Sequence, residues 1–390
     1  MEENKKKKKW IKPLVITLSC VVLVPIVVAL SYVGYVALSY HRIGDTELEI
    51  NSKTSFEEVE TNKELSYTSF NIGFGAYSDN YTFFMDTGYD ANGNPTQGKY
   101  GKAISKEDVI KNTNGAIVVA KKLDSDFYAI QEVDEDSDRA YHINQKEEFI
   151  NAFSTLDSTY CINFDSAYLF YPFNDPHGKS KAGLATFSKY KISSAYRKEY
   201  TISTSFSKFF DLDRCFSINR IKTDNNKELV LINSHMSAYD EGGLIRNKQI
   251  TELNSFMVEE YNKGNYVVCG GDFNHDLLTN NPLYPQYNKD NFAYKDLIKQ
   301  QKPDWISYMF DDNKKSKFDE SLTIYAANNE PSCRDCDVVY TPGDTFVSTV
   351  DGFIVSKNVE VTSVSTTKTI EPKGFSYSDH QPTTLKFKLI

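Results

Sequence analysis

Residues 270–276 read GGDFNHD, and they follow the run Tyr266-Val-Val-Cys269. The run is apolar and partly β-branched, the composition of a buried strand. It leads directly into Asp272 and Asn274. A carboxylate and an amide at the edge of a core are costly unless something pairs with them. The same arrangement recurs along the chain. Ser69-Phe-Asn71 runs into Gly73-Phe-Gly75, Ile130-Gln131-Glu132 closes another apolar run, and Leu231-Ile-Asn233-Ser-His235 ends in a histidine. Val350-Asp351-Gly-Phe-Ile carries an acid inside an apolar stretch, and Ser378-Asp379-His380 precedes the last strand-like run. Each residue alone has an ordinary explanation as a turn cap or a surface acid. Together they would put carboxylates, amides and two histidines along one sheet edge.

Such a set suits metal-assisted phosphoester hydrolysis. Carboxylates such as Glu132 and Asp379 are hard oxygen ligands of the kind Mg²⁺ or Mn²⁺ takes alongside substrate phosphate. Asp351 beside His380 would fix the imidazole tautomer and raise its basicity. Asp272 could orient or deprotonate a water, and Asn274 and His235 could donate to phosphate oxygens as charge builds there.

The chain has 390 residues, and its beginning differs from the rest. Lys5–Lys9 are five consecutive lysines, and Pro13–Tyr40 contains no charged residue. As a helix this stretch would rise about 42 Å, enough to cross a ~30 Å hydrocarbon core with tilt. It exceeds the apolar core of a cleavable signal peptide, and Val36-Ala-Leu-Ser-Tyr40 is a poor cleavage site. The lysines belong on the cytoplasmic side. The sequence thus reads as a single-pass cell-membrane protein: a cytoplasmic basic tail (1–12), a transmembrane anchor (13–40), a polar linker or stalk (41–63) and an extracellular domain (64–390), expected to be a monomer. The tail carries +4 of a net charge of −9, which leaves −13 outside. That balance gives no broad attraction to nucleic acid.

Of the six cysteines, Cys161, Cys215 and Cys269 sit in apolar contexts and read as core residues. Cys333-Arg-Asp-Cys336 stands alone, which argues against zinc; a local disulfide is the open alternative. Asp90-Ala-Asn-Gly-Asn94 reads as a turn and lacks the glutamate an EF-hand would need.

Strands are predicted over Leu65–Ile72, Phe127–Val133, Cys161–Tyr171, Ala182–Phe187, Cys215–Ile221, Leu229–His235, Tyr266–Cys269, Thr349–Val355 and Thr384–Leu389. Helices are predicted over Lys106–Leu123, with Val109, Ile110, Ile117 and Val118 on one face, and over Leu244–Tyr261. Grouped strands with few intervening helices argue for packed sheets covered by helices. The polar stretches Ser78–Lys102 and Asn281–Asn329 read as long loops, which are often functional.

The order Asn71, Gln131-Glu132, Ser234-His235, Gly271-Asp-Phe-Asn274, Val350-Asp351 and Ser378-Asp-His380 resembles the endonuclease/exonuclease/phosphatase superfamily. This superfamily includes DNase I-like nucleases, neutral sphingomyelinases and inositol-polyphosphate phosphatases. The resemblance runs from about Leu65 to Ile390, and Lys181–Ser188 is similar to the family's central strand. It implies an α/β (α+β) fold, a four-layer α/β/β/α sandwich of two packed mixed sheets. It implies Glu132 as the main Mg²⁺ ligand with Asn71 beside it, Asp272 aligning the attacking water, and Asn274 and His235 on the phosphate. Asp351 and His380 would pair, and Asp379 would complete the acid cluster. Gly73 stands where some members carry an acid, which favours one metal ion. His177 and Arg246 are further substrate-binding candidates, and His275 a weaker one.

The expected activity is a divalent-metal-dependent phosphodiesterase acting on nucleic acid or a phospholipid headgroup. A phosphomonoesterase of sugar or inositol phosphates is the alternative, and a tethered binding protein on an inactive scaffold the remote one. A nuclease would place Lys179, Lys181, Arg246 or Lys248 by the cleft. A lipid-directed enzyme would expose aromatics, for which Tyr81-Thr-Phe-Phe-Met85 is the candidate loop.

Overall fold

The apolar runs pair into two sheets, and the residues between them fill two outer helical layers. The computed structural model describes residues 2–238, 243–278, 299–301, 303, 307–311 and 315–390. Residues 281–298 of the Asn281–Asn329 stretch and the side chains of the lysine block lie outside the described residues. The main strands are β1 (Leu65–Asn71), β2 (Phe127–Ser137), β3 (Asp157–Asp165), β4 (Ser180–Ser188), β5 (Ile192–Glu199), β6 (Cys215–Thr223), β7 (Glu228–His235), β8 (Tyr266–Asp272), β9 (Leu322–Tyr325), β10 (Asp351–Ser356), β11 (Val359–Thr366) and β12 (Thr383–Leu389). The helices are α1 (Glu2–Ser39), α2 (Lys106–Leu123), α3 (Gln145–Ala152) and α4 (Leu244–Asn262).

The first sheet runs β3-β4-β2-β1-β12-β11, and the second runs β5-β6-β7-β8-β10-β9. Both are mixed: β1 pairs parallel with β2, and β7 with β8, while the remaining neighbours are antiparallel. Leu65, Tyr67, Phe127 and Phe387 of the first sheet meet Leu229, Leu231, Val268 and Phe353 of the second in one buried cluster. Ile250, Leu253 and Met257 of α4 cover the second sheet. Ala116, Ile117 and Ala120 of α2, with Phe149 of α3, cover the first. These are the four expected layers.

A buried polar seam runs through the contact between the sheets. Gln131 Nε2 donates to Asn233 Oδ1 (2.8 Å), Asn233 Nδ2 donates to the Ala185 carbonyl (3.1 Å), Tyr67 Oη donates to the Ile232 carbonyl (2.8 Å), and Thr159 Oγ1 donates to Asn219 Oδ1 (2.7 Å). The thiols of Cys161 and Cys215, one from each sheet, lie 3.4 Å apart in the same interior.

Several expectations change. The linker over 41–63 is not a free stalk. Thr46–Glu47 pairs with β5, Ile50–Asn51 with β3, and Glu58–Val59 with β6, so the segment extends both sheets. Its polar residues are those of short edge strands, one face of which stays in water. The predicted strand Cys161–Tyr171 starts earlier and ends at Asp165, leaving residues 166–173 as a loop. On α2 the buried stripe is Val109, Asn112, Thr113, Ala116, Ile117 and Ala120, whereas Ile110 and Val118 are exposed. Small and polar residues fit beneath the helix where it lies close to the sheet and the site loops, so hydrophobicity alone misplaces its face. Asp90 closes its own turn, accepting from the Asn92 and Asn94 amides.

Arg220 on β6 reaches Glu260 on α4 (2.8 Å), which also accepts from Lys263 and Asn265. Burial alone would raise the Glu260 carboxyl. The hydrogen bonds from Arg220, Lys263 and Asn265 outweigh it and hold the group down from 4.5 to about 2. A carboxyl depressed on folding adds stability above its unfolded value and loses it as pH falls. Glu260 therefore supports the fold above about pH 4.5, and that support vanishes between about 4.5 and 2. Glu260→Gln should flatten the melting temperature across that window. An unchanged slope in a pH-stepped melt would remove Glu260 from the account.

Candidate active site

The strand-end residues converge at one end of the sandwich. Asn71 ends β1, Glu132 lies in β2, His235 ends β7, Asp272 ends β8, Asp351 begins β10, and Asp379-His380 precede β12. The first sheet supplies the first two and the second sheet supplies His235, Asp272 and Asp351. Parallel pairing puts His235 directly beside Asp272, and antiparallel pairing puts Asp272 beside Asp351.

Glu132 reaches the cleft through a bulge. Pairing of β2 with β4 shifts register between Ile130 and Val133, and Glu132 has φ +53. An unpaired bulge residue is turned out of the ladder's alternation, and left-handed backbone at a non-glycine residue costs about 1–3 kcal/mol. Asn274 is strained similarly, with φ +49. Gly270 and Gly271 serve a different purpose from a turn. Both lie within β8, where a Cβ on Gly271 would come 2.1 Å from the Ser234 carbonyl oxygen, and one on Gly270 would come 2.9 Å from the Phe353 ring. They permit close approach rather than a bend. Gly73 (φ +52) is crowded too: a Cβ there would lie 2.8 Å from Asp379 Oδ1. That space is taken up by an acid from another loop.

The polar groups form one network. Asn71 Nδ2 donates to Glu132 Oε1 (3.1 Å) and to Asp272 Oδ2 (3.0 Å), while Asn71 Oδ1 accepts from the Gly73 amide. Asp272 Oδ1 accepts from the Asn274 amide (2.9 Å). His380 Nδ1 bonds Asp351 Oδ2 (2.7 Å), and its Nε2 lies 3.7 Å from Asp272 Oδ2 and 3.8 Å from Asp379 Oδ2. His235 Nε2 lies 3.5 Å from Asp272 Oδ2 and 3.9 Å from Glu132 Oε1. Among the described residues, buried His235 Nδ1 has no hydrogen-bond partner, which favours the ring proton on Nε2 facing the carboxylates.

Burial raises the carboxyls of Glu132, Asp272 and Asp379. The charge of Asp379 pushes Glu132 up further, and Arg139 opposes it. Burial works against the His380 cation, but Asp351, Cys333, Asp379 and Asp272 outweigh it and hold the imidazole well above its ordinary range. Burial, with Arg214 and His380, drives His235 well below, so it is neutral. Two repelling, half-buried carboxylates, Glu132 and Asp379, open on one cleft beside a spare amide-oxygen lone pair on Asn71. This donor set fits a hard divalent cation. Asp272, Asp351 and His380 are also close enough to share an ion. Asp351 already holds His380 Nδ1 in a hydrogen bond, however, and Asp272 faces Nε2 at 3.7 Å, the arrangement of a charge-paired imidazole.

A cleft of about 500 Å³ lies over this network. Of the ten residues expected at the site, His177, Glu132, His235, Asp272, Asn274, Asp379 and His380 line it. Asn71 and Asp351 stand behind, buried, orienting those in front. Arg246 does not line it: its side chain is buried beneath α4, close to His275. His275 also turns away, its Nδ1 held by the Phe273 carbonyl. The model of the endonuclease/exonuclease/phosphatase family matches residues 68–380. The chain belongs to that family.

Solved structures of similar fold include an endonuclease/exonuclease/phosphatase from Bacteroides vulgatus, at 14% identity and TM-score 0.48, covering 84% of this chain and 100% of that one. A truncated TDP2 from Caenorhabditis elegans matches at 14% and 0.48 over 84% and 99%. ANGEL2, described as a 2′,3′-cyclic phosphatase, matches at 14% and 0.48 over 88% and 98%. No curated protein matches in sequence. As in the family at large, this chain's activity is phosphoester hydrolysis.

This family member also brings residues to the cleft that sequence reasoning missed. Arg139, Arg214 and Arg334 line it. Arg139 is clamped by Asp134 (3.0 and 2.7 Å) and lies over the Phe74 ring, and Arg214 donates to the Met236 carbonyl. The expected basic residues Lys179, Lys181, Arg246 and Lys248 do not line the cleft, and Lys181 pairs with Glu135. His177 is buried, its Nδ1 on the Gly101 carbonyl, and burial with Arg139 lowers it to about 3. Cys333 and Cys336 are free thiols on the cleft wall rather than a disulfide, 3.7 Å from His380 Nε2 and 3.8 Å from Asp379 Oδ2. Of the candidate aromatic loop, Tyr81 is core, Phe83 packs in the core and also reaches the cleft, and Phe84 and Met85 face it.

Proposed function

We propose that this protein is a membrane-anchored, Mg²⁺-dependent phosphodiesterase acting on the outer face of the cell membrane. The observation that carries the reading is the Asn71–Glu132–Asp272–His380–Asp351 network, facing a cleft rimmed by buried arginines. Glu132 and Asp379, with Asn71 Oδ1, would hold the cation. When bound, it supplies Lewis-acid polarisation of a phosphoryl oxygen.

The chain's own groups account for the rest. Asp272 is fixed through both carboxylate oxygens and accepts a proton from a water placed for in-line attack. The protonated His380, oriented by Asp351, and neutral His235 aim Nε2–H donors at the phosphoryl oxygens, where charge develops. Asn274 adds an amide donor, and Arg139, Arg214 and Arg334 bring positive charge that is already desolvated. Transmembrane placement rests on the uncharged helix Pro13–Ser39 and the lysines that precede it.

Full-length protein in detergent should hydrolyse bis(p-nitrophenyl) phosphate with Mg²⁺ and stop when EDTA is added. Turnover of p-nitrophenyl phosphate alone would move the reading to a monoesterase. No turnover of either would favour an inactive scaffold.

A further inference from the structure

The transmembrane helix does more than tether. Its last turns pack against the two segments that form one lip of the cleft. Tyr32 Oη donates to the Tyr168 carbonyl (3.1 Å) and accepts from the Phe170 amide (3.2 Å), and Tyr35 Oη accepts from the Tyr168 amide (3.1 Å). The Tyr32 and Phe170 rings meet edge-on at 5.2 Å. Further on, Tyr40 packs on Phe209 (5.3 Å) and, with Arg42, holds Asp213 (3.0 and 2.9 Å). Leu169, Tyr171, Phe210 and Leu212 of these same segments line the cleft.

The depth follows from helix length. Pro13–Ser31 is 19 residues, about 28 Å of helix, close to the ~30 Å hydrocarbon core. Tyr32 and Tyr35 then fall at the outer interface, where tyrosines concentrate, and Tyr40 stands about 13 Å beyond the core. The gripped segments sit at the same level. They carry exposed aromatics: Phe170 (49%), Tyr171 (52%), Phe173 (85%) and Phe206 (52%). In water such a group of large apolar side chains is a liability; beside a bilayer it is an insertion surface. The cleft behind it continues the same chemistry, with Phe84, Met85, Leu169, Tyr171, Phe210 and Leu212 leading down to the acids. A nucleic-acid groove would instead line its walls with exposed Lys and Arg, whereas Arg139, Arg214 and Arg334 in this cleft are buried.

We propose that the substrate is a lipid-borne phosphodiester taken from the outer leaflet of the membrane that α1 spans. This rests on the phosphodiesterase reading above. The phosphate reaches Glu132, Asp272 and His380, and the diacylglycerol side lies along the apolar wall. The water oxygen forms the new bond to phosphorus, the P–O bond to the glycerol oxygen breaks, and one water proton ends on that oxygen. Diacylglycerol stays in the leaflet and the phosphorylated headgroup leaves to water.

The test uses the full chain reconstituted in equimolar phosphatidylcholine–phosphatidylglycerol vesicles with Mg²⁺, measuring released phosphorylated headgroup. The double variant Phe170→Ser, Phe173→Ser should lose about tenfold or more of vesicle hydrolysis through lost interfacial burial. It should keep the parent's rate on bis(p-nitrophenyl) phosphate, which also reports its folding. A Phe173→Trp variant should be quenched by brominated lipid beyond the parent's own tryptophans, and Phe56→Trp, exposed beside Tyr190 and outside the segments that α1 grips, should not. Vesicle hydrolysis unchanged in the double variant, or equal quenching at 173 and 56, would overturn the proposal. So would vesicle lipid left intact by a parent that cleaves the soluble diester or DNA. Inertness toward vesicles and soluble diester alike would instead sink the phosphodiesterase reading itself.

Discussion

Asp272→Asn should lower turnover of bis(p-nitrophenyl) phosphate by about a thousandfold or more, the upper range for loss of a positioned base. The substitution keeps the shape and the oxygen that accepts from the Asn274 amide. It removes the charge that faces His380 and His235 at 3.7 and 3.5 Å. The new amide also cannot accept a proton. The fold should tolerate the change, because burial already disfavours the Asp272 anion. KM should move far less than kcat, since the group acts on the attacking water and not on the bound ester. A variant within tenfold of the parent's kcat would show that the proton goes elsewhere.

Glu132→Gln should have the second-largest effect, and it can be read without chemistry. A ligand that binds only the folded state stabilises it by about 2.7 kcal/mol at a hundred times its Kd. Mg²⁺ should therefore raise the melting temperature of the parent in a saturating manner. The Glu132→Gln protein should start higher without metal, because Glu132 and Asp379 no longer repel. It should then gain little from Mg²⁺, and its activity should fall by about a hundredfold or more, as for loss of a metal-binding group. Equal metal-induced shifts in the two proteins would place the cation elsewhere, with Asp272, Asp351 and His380 the next set to mutate.

Much of the site was legible because it lies where readable strands stop. An apolar run that ends in a polar residue marks a strand's end, and a two-sheet sandwich gathers such ends on one rim. Asp272, His235, Asp351 and His380 could be found this way. Glu132 was found as a strand-end acid, but the bulge that turns it outward leaves no mark in composition. Arg139, Arg214 and Arg334 were not legible, since a buried arginine looks like a surface one until its partners are known. Strand β5 was missed because ISSAYRKE buries few of its residues and reads as a polar loop. The segment 166–173 was misread for the opposite reason. Its tyrosines and phenylalanines look like strand residues whether they fill a core or stand exposed, and only the end of pairing at Asp165 separates the two.

The amide seam between the sheets has a consequence for how such an enzyme can change. Sliding one sheet by a residue would carry Gln131 and Asn233 past each other, and each orphaned buried group would cost about 1–3 kcal/mol. The sandwich therefore has one admissible alignment, and catalytic groups drawn from both halves inherit it. The lips at 166–173 and 206–213 are built outside that alignment. Mutation can reshape what they admit, leaving the chemistry beneath them set, so substrate choice and catalytic competence are free to evolve on separate parts of the chain.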